Sequence, residues 1–474
     1  MIEHVLVTAL VCLVVYFRTI YYGLVVDDVC RLNYTLPKTV RSNGVETINK
    51  HYRTLYDCGV GRSRWSRLVQ SLHGSSVIMN LKLDHAVTIF IHTAVSCLVT
   101  LAFGILPGLL FAVHPVNNQV SVWLNGKRYG ISTIICLCVW LLKPYGLLLY
   151  PLVFIWHQNA MLSPALMFLT QWWYLPLLSP ILFLVKPDII RVFKARMRKR
   201  ADEIPDADPK HYRWGKYPMF FKTFAYYTLH CVFPRKMSFY HSFLDNHGYS
   251  RRDNKECCKK DKMFWTGVGL LSAMTLCIAM FWGTPISFGL FWWVLFISQC
   301  CNFPVTLSMH ISDRNCYLPN IGICAALAAV INLIPDMTVK YVVYTAMFTY
   351  YLTRLVMYMP KYKDVDPFVM NVLDVFPDNS RVSRIAVQSL LGDHKFFHAI
   401  KYCADGLCHR PNDFTLNVLM AKTMNLLNQK SCAMRHIEVA EKNLVCGAEQ
   451  HNLELVARLK QEISKPTQPI NIRY

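Results

Sequence analysis

MIEHVLVTALVCLVVYFRTIYYGLVVDDVC, residues 1–30, opens the chain. From Val5 to Phe17 only Thr8 interrupts the apolar residues, and the first basic residue is Arg18. Such a run suits a helix with lipid around it. It has neither a strongly basic start nor a small-residue cleavage site, which predicts a retained first spanning helix, not a cleaved signal peptide. Two acids, Asp27 and Asp28, follow directly, where the charges beside a bilayer are usually Lys or Arg.

The 474 residues are 54% hydrophobic and only 17% charged, so the chain reads as a polytopic membrane protein with a polar appendage. The net charge of +21 fits basic cytoplasmic loops held against anionic headgroups, and no nucleic-acid partner is expected. The 18 cysteines are scattered, many of them in apolar runs, and Cys257-Cys258 and Cys300-Cys301 are adjacent. That spacing suggests no structural metal.

Further apolar runs cover 83–104, 106–124, 129–142, 145–157, 161–186, 217–234, 263–283, 285–308, 317–335 and 338–358. Several fall below the roughly 20 residues that an upright helix needs. The runs 129–142 and 145–157 read as tilted or re-entrant. The run 217–234 carries Lys222 and His230 and reads either as spanning or as lying in the interface. The expected fold is an all-α membrane bundle of about ten or eleven spanning helices over residues 1–360. The basic stretch KPDIIRVFKARMRKR after Val185 is placed in the cytoplasm. Counting spans then puts residues 23–80, 311–319 and the tail outside. The basic loop RRDNKECCKKDK (251–262) sits uneasily outside, and an interfacial 217–234 would move it, 311–319 and the tail inside.

Beyond Pro360 the character changes. Residues 361–376 read as a linker, 377–465 as polar helices with a period near 34, and 466–474 as a tail. Gly406 and Pro411-Asn412-Asp413 supply turn and cap chemistry. The period and the apolar positions Ala399, Tyr402 and Ala421 predict tetratricopeptide-like (TPR-like) repeats, with a plain four-helix domain as the alternative.

Asp27 and Asp28 read either as a solvated loop or as carboxylates that take a proton from an acceptor hydroxyl. Polar residues at membrane depth are expensive and usually face a cavity or a partner. FAVHPVNNQVSVWLNGKR (111–128) places His114, Pro115, Asn117 and Asn118 in apolar surroundings and closes on Lys127-Arg128. SMHISDRNCYLPNIG (308–322) places Asp313-Arg314 before a helix start. Arginine there suits a lipid phosphate, which its fork can bind through two hydrogen bonds.

In order, the acid pair after the first helix, FAVHPVNNQVSVWLNGKR, LLKPYGLLLYPLV, KTFAYYTLHCVFPRKMS, DRNCYLPNIG and the repeats resemble the transmembrane and TPR-containing O-mannosyltransferases and their bacterial relatives. That family consists of membrane glycosyltransferases of the GT-C fold. The resemblance covers nearly the whole chain. It implies a polyprenyl-phosphate sugar as donor, no certain cofactor, and an active site at the outer or luminal face. It carries Asp27 and Asp28 onto the catalytic position, His114 onto the His-Pro element, and Arg128, Arg314 and Tyr317 onto donor-phosphate and substrate binding. Two departures are visible: Asp313 stands where relatives commonly have Glu, and the repeat array is short. Lys143, in the K-P step, falls on the inner side by the span count and suits a structural or lipid-anchoring role.

The implied function is transfer of a sugar, mannose favoured, from the lipid-linked donor to a hydroxyl of a protein acceptor presented by the repeats. A non-catalytic membrane scaffold and a transporter of lipid-linked sugars are the alternatives. Two acids alone do not define a metal site, and none is assigned. The expected location is a multi-pass position in the endoplasmic reticulum of a eukaryote or the inner membrane of a bacterium.

Overall fold

The computed structural model describes residues 1–23, 81–143, 145–153, 160–169, 209–239, 262–301, 311–363, 365–375, 380–392, 394–409, 411–443 and 450–464. Among these residues the chain is helical with no strand. It divides into two compact units, with the boundary between Lys363 and Asp364.

In the first unit, α1 (Ile2–Tyr16) runs into a 3-10 turn at Phe17–Tyr21 and packs on α2 (Leu81–Phe103). The Thr8 and Thr100 hydroxyls join them inside, 2.9 Å apart. Gly104 takes φ +96 and reverses the chain into α3 (Ile105–Val113), a backbone state that side chains with a Cβ resist. After a broken stretch come α5 (Lys127–Leu141), α6 (Pro209–Val232), α7 (Lys262–Met280), α8 (Pro285–Ser298), α9 (Asn320–Asn332) and α10 (Met337–Tyr358).

Among the described residues, three helical segments are long and apolar enough to cross a membrane: Ile2–Tyr21, His85–Phe103 and Lys262–Met280. Their outer faces agree with that composition. Along α7 only Gly267 is buried, while Trp265, Leu276 and Met280 are exposed. Exposed apolar rows of this length are unusual on a protein surrounded by water.

The predicted span 106–124 is not one helix. Pro115 lacks the N–H that would continue α3, and its ring disfavours a helical residue before it. His114 is therefore extended (φ −68, ψ 121). The chain proceeds through a 3-10 turn at Pro115–Asn117, the short helix α4 (Asn118–Ser121) and a second 3-10 turn at Leu124–Gly126. The run 145–157 begins as a 3-10 helix, Tyr145–Leu152. The run 217–234 lies in α6, whose residues from Thr223 to Val232 are mostly buried inside the unit. Lys143 Nζ sits 3.8 Å from the centre of the Trp140 ring, a cation–π contact.

At one crossing α8 and α9 meet backbone to backbone. A Cβ added at Gly289 would lie 2.7 Å from the Ala326 nitrogen and the Gly322 oxygen, and one added at Gly322 would lie 2.6 Å from the Trp293 nitrogen. Small residues permit this approach, as they do in membrane helix pairs.

The second unit stacks α11 (Val365–Val375), α12 (Ser380–Gly392), α13 (Phe396–His409), α14 (Phe414–Leu426), α15 (Lys430–Lys442) and α16 (Gln450–Ser464). Most of the segment predicted as a linker is therefore helix α11. Helices α12 and α14 start 34 positions apart, as do α13 and α15. Helix α14 is buried on two sides. Leu416, Leu419 and Met420 pack with Val387, Leu390, Ala399 and Cys403, while Val418 and Ala421 pack with Ala433, Ile437, Val456 and Leu459. Asp413 caps α14 by accepting from the Leu416 N–H at 3.0 Å and also pairs with Arg384.

One partly buried histidine, His436, makes the stability of this unit sensitive to pH. Asn417 Nδ2 donates to the oxygens of Pro411 (2.8 Å) and Asp413 (2.9 Å), which leaves its Oδ1 to accept from His436 Nδ1–H at 2.9 Å. Partial burial holds His436 below the ordinary histidine value. As pH falls through about 6.5, the unfolded chain therefore takes up the proton first. The stability of this unit should rise with pH across that range and be lost below it. The protection factors of α15 amides in the full chain, hydrogen-exchange rates divided into the intrinsic rate at each pH, should fall from pH 7.5 to 5.5, and His436→Gln should flatten the response.

Candidate functional site

The break after α3 leaves helix-end carbonyls that must be satisfied inside the protein. Asn117 Nδ2 donates to the Phe111 oxygen at 2.8 Å, and Asn117 Oδ1 accepts from Asn320 Nδ2 at 3.3 Å. His114 Nδ1 accepts from the Val116 N–H at 3.4 Å, and its Nε2–H donates to the Cys231 oxygen in α6 at 2.8 Å. With one nitrogen accepting and the other donating, the ring is the neutral tautomer. It lies against Tyr351, with the ring centres 4.3 Å apart.

The second half of the site is the turn Asp313–Cys316, which is 3-10 helical and held from three directions. Gln119 Oε1 accepts from the Arg314 N–H (2.7 Å) and the Ser312 hydroxyl (3.0 Å). The Tyr227 hydroxyl oxygen accepts from the Ser312 N–H (3.0 Å) and from Asn315 Nδ2 (3.1 Å). His230 Nε2 stands 3.1 Å from Asp313 Oδ1, with both side chains buried. Segments some 200 positions apart in the chain are thus joined by hydrogen bonds.

Arg314 is the partly exposed residue of the turn, although its Nη1 is buried. Its guanidinium lies 5.3 Å from the Trp123 ring centre and 5.5 Å from that of Phe239, and these two rings meet edge to face at 5.2 Å. Its charge and that of Arg128 both act on the Tyr129 hydroxyl. Tyr317 is fully buried. Its hydroxyl donates to His92 Nδ1 at 2.7 Å, while His92 Nε2–H donates to the Ala112 oxygen at 3.2 Å.

Of the residues predicted from sequence, Arg314 sits in the hydrogen-bonded turn, and the charge of Arg128 acts on the same neighbour, Tyr129. His114 and Tyr317 are core struts on either side, and the hydrogen bonds of both go to the protein itself. Asp27 and Asp28 lie outside the described residues. Sequence reading passed over His92, Gln119, Trp123, Tyr129 and Tyr227 as site residues. A signal was present for His92 and Gln119, which are polar residues at membrane depth.

The chain is thus all-α among the described residues, with three helices suited to a membrane and a buried polar centre that carries arginine. Comparison with protein-family models, curated proteins and solved structures yields no match to it.

Proposed function

We propose that this chain is a GT-C-like membrane glycosyltransferase that moves a sugar, mannose favoured, from a polyprenyl-phosphate donor to a protein hydroxyl at the outer or luminal face. The single observation that carries this reading is the meeting of two of the elements on which the family resemblance rests. Gln119, from the stretch 111–128, accepts from the backbone N–H of Arg314, from the stretch 313–322, at 2.7 Å. In the reaction, an acceptor oxygen attacks the anomeric carbon as the bond from that carbon to the phosphate oxygen breaks. Asp27 or Asp28 takes the acceptor proton, and the electron pair leaves on the lipid phosphate. That phosphate needs positive charge beside it, which Arg314 and Arg128 supply. This reading also includes about ten or eleven spans and TPR-like repeats in residues 377–465 that present an extended acceptor peptide.

The test is incubation of purified protein with labelled polyprenyl-phosphate mannose and, separately, glucose, following release of the lipid phosphate. Release dependent on a protein acceptor is expected with mannose, and no release with either donor would refute the reading. Deleting 377–465 should leave donor binding intact and impair transfer to protein. Undiminished protein transfer by the truncated chain would remove the acceptor role.

A further inference from the structure

Two buried N–H donors flank Arg314 with no acceptor. Gln119 is fully buried, and its amide orientation is set because Oε1 faces a backbone N–H, which can only donate. Its Nε2–H2 group therefore points elsewhere and makes no hydrogen bond among the described residues. Trp123 is 4% exposed, and its Nε1–H also makes none. Buried donors left in this state are costly and uncommon in folded proteins. Both are on residues that touch Arg314, one at its backbone nitrogen and one at its guanidinium. Asn118 also has an unbonded buried amide, but it projects about 100° away around the helix and is not included.

We infer that Gln119 and Trp123 complete an oxyanion site around Arg314, each giving a neutral N–H to an oxygen whose charge the guanidinium balances. The identity of the ligand, the phosphate of a polyprenyl-phosphate sugar, rests on the glycosyltransferase reading. The chemistry fits a phosphate better than a sugar hydroxyl, because this set donates and offers no acceptor. The ring stack on Trp123 and Phe239 orients the guanidinium before the ligand arrives, which lowers the ordering cost of binding.

Two conservative variants isolate the donors. Trp123→Phe keeps an aromatic face for Arg314 and removes only the N–H. Gln119→Glu keeps an acceptor for Ser312 and Arg314 and replaces the donor with an anionic oxygen. The full chain, purified in detergent, would be titrated with labelled polyprenyl phosphate bearing no sugar, and separately with inorganic phosphate. Loss of one hydrogen bond to a charged oxygen should weaken lipid binding about 10-fold or more in Trp123→Phe. Gln119→Glu should bind more weakly still, and the unliganded thermal midpoint of Trp123→Phe should stay close to wild type. If both variants bind like wild type while Arg314→Lys is weakened, the two donors do not serve the ligand and this inference falls alone. If wild type ignores the lipid but binds inorganic phosphate with the same order among variants, the oxyanion site stands and the glycosyltransferase reading falls. Binding of neither ligand by wild type overturns both.

Discussion

Replacing Asp28 or Asp27 with Asn should lower sugar transfer by about 10²–10⁴-fold, the usual loss when a general base is removed. The amide keeps the size of the carboxyl group but cannot accept the acceptor's proton. Donor binding should survive, because the proposed phosphate contacts lie on Arg314 and Arg128. The arginine variants should behave in the opposite way. Arg314→Lys keeps the charge but loses the planar fork, so its defect should appear first as weakened binding of the donor lipid. Equilibrium binding and single-turnover transfer, measured on the same preparations, separate the two classes. Full activity in both Asn variants would make the acid pair a solvated loop and remove the central support for an enzymatic reading.

The second large effect concerns folding. Gly322→Leu should abolish recovery of monodisperse protein. Any Cβ there meets the Trp293 nitrogen at 2.6 Å, and backbone of the neighbouring helix has no rotamer with which to move aside. Overpacking typically costs about 1–3 kcal/mol when side chains can shift, and here the obstacle is main chain. Gly269 is the matched control. It is also helical, but a Cβ added there has nothing within 4 Å. Gly269→Ala should therefore be recovered like wild type, with a small gain in helix propensity. Size-exclusion profiles of the two variants make the comparison. Normal recovery of Gly322→Leu would mean that α8 and α9 do not cross as described.

Much of the helical character was legible from the apolar runs, since α1, α2, α7 and α10 begin and end close to the expected limits. The run 106–124 misled because hydropathy averages over Pro115, whereas the backbone responds to that one residue. The expected linker holds α11, which the change of character after Pro360 did not reveal. Pro360 starts a 3-10 turn, and Pro367 falls in the first turn of α11, where a missing N–H costs nothing. Sequence could nominate Arg314 and His114 as polar residues in an apolar setting. It could not show that Gln119 reaches Ser312, or that Trp123 and Phe239 enclose a guanidinium, because those contacts depend on how distant helices pack.

The glycine crossing joins two helices of 14 and 13 residues, each only about 20 Å long. A typical hydrocarbon layer is roughly 30 Å thick. On the glycosyltransferase reading, in which both helices span, this pair would produce hydrophobic mismatch, which a bilayer meets by thinning locally. The Arg314 turn comes just before the shorter of the two helices in sequence. A thinned annulus beside it would draw the headgroup plane inward, so that a lipid phosphate could reach the guanidinium while its polyprenyl chain stays in oil.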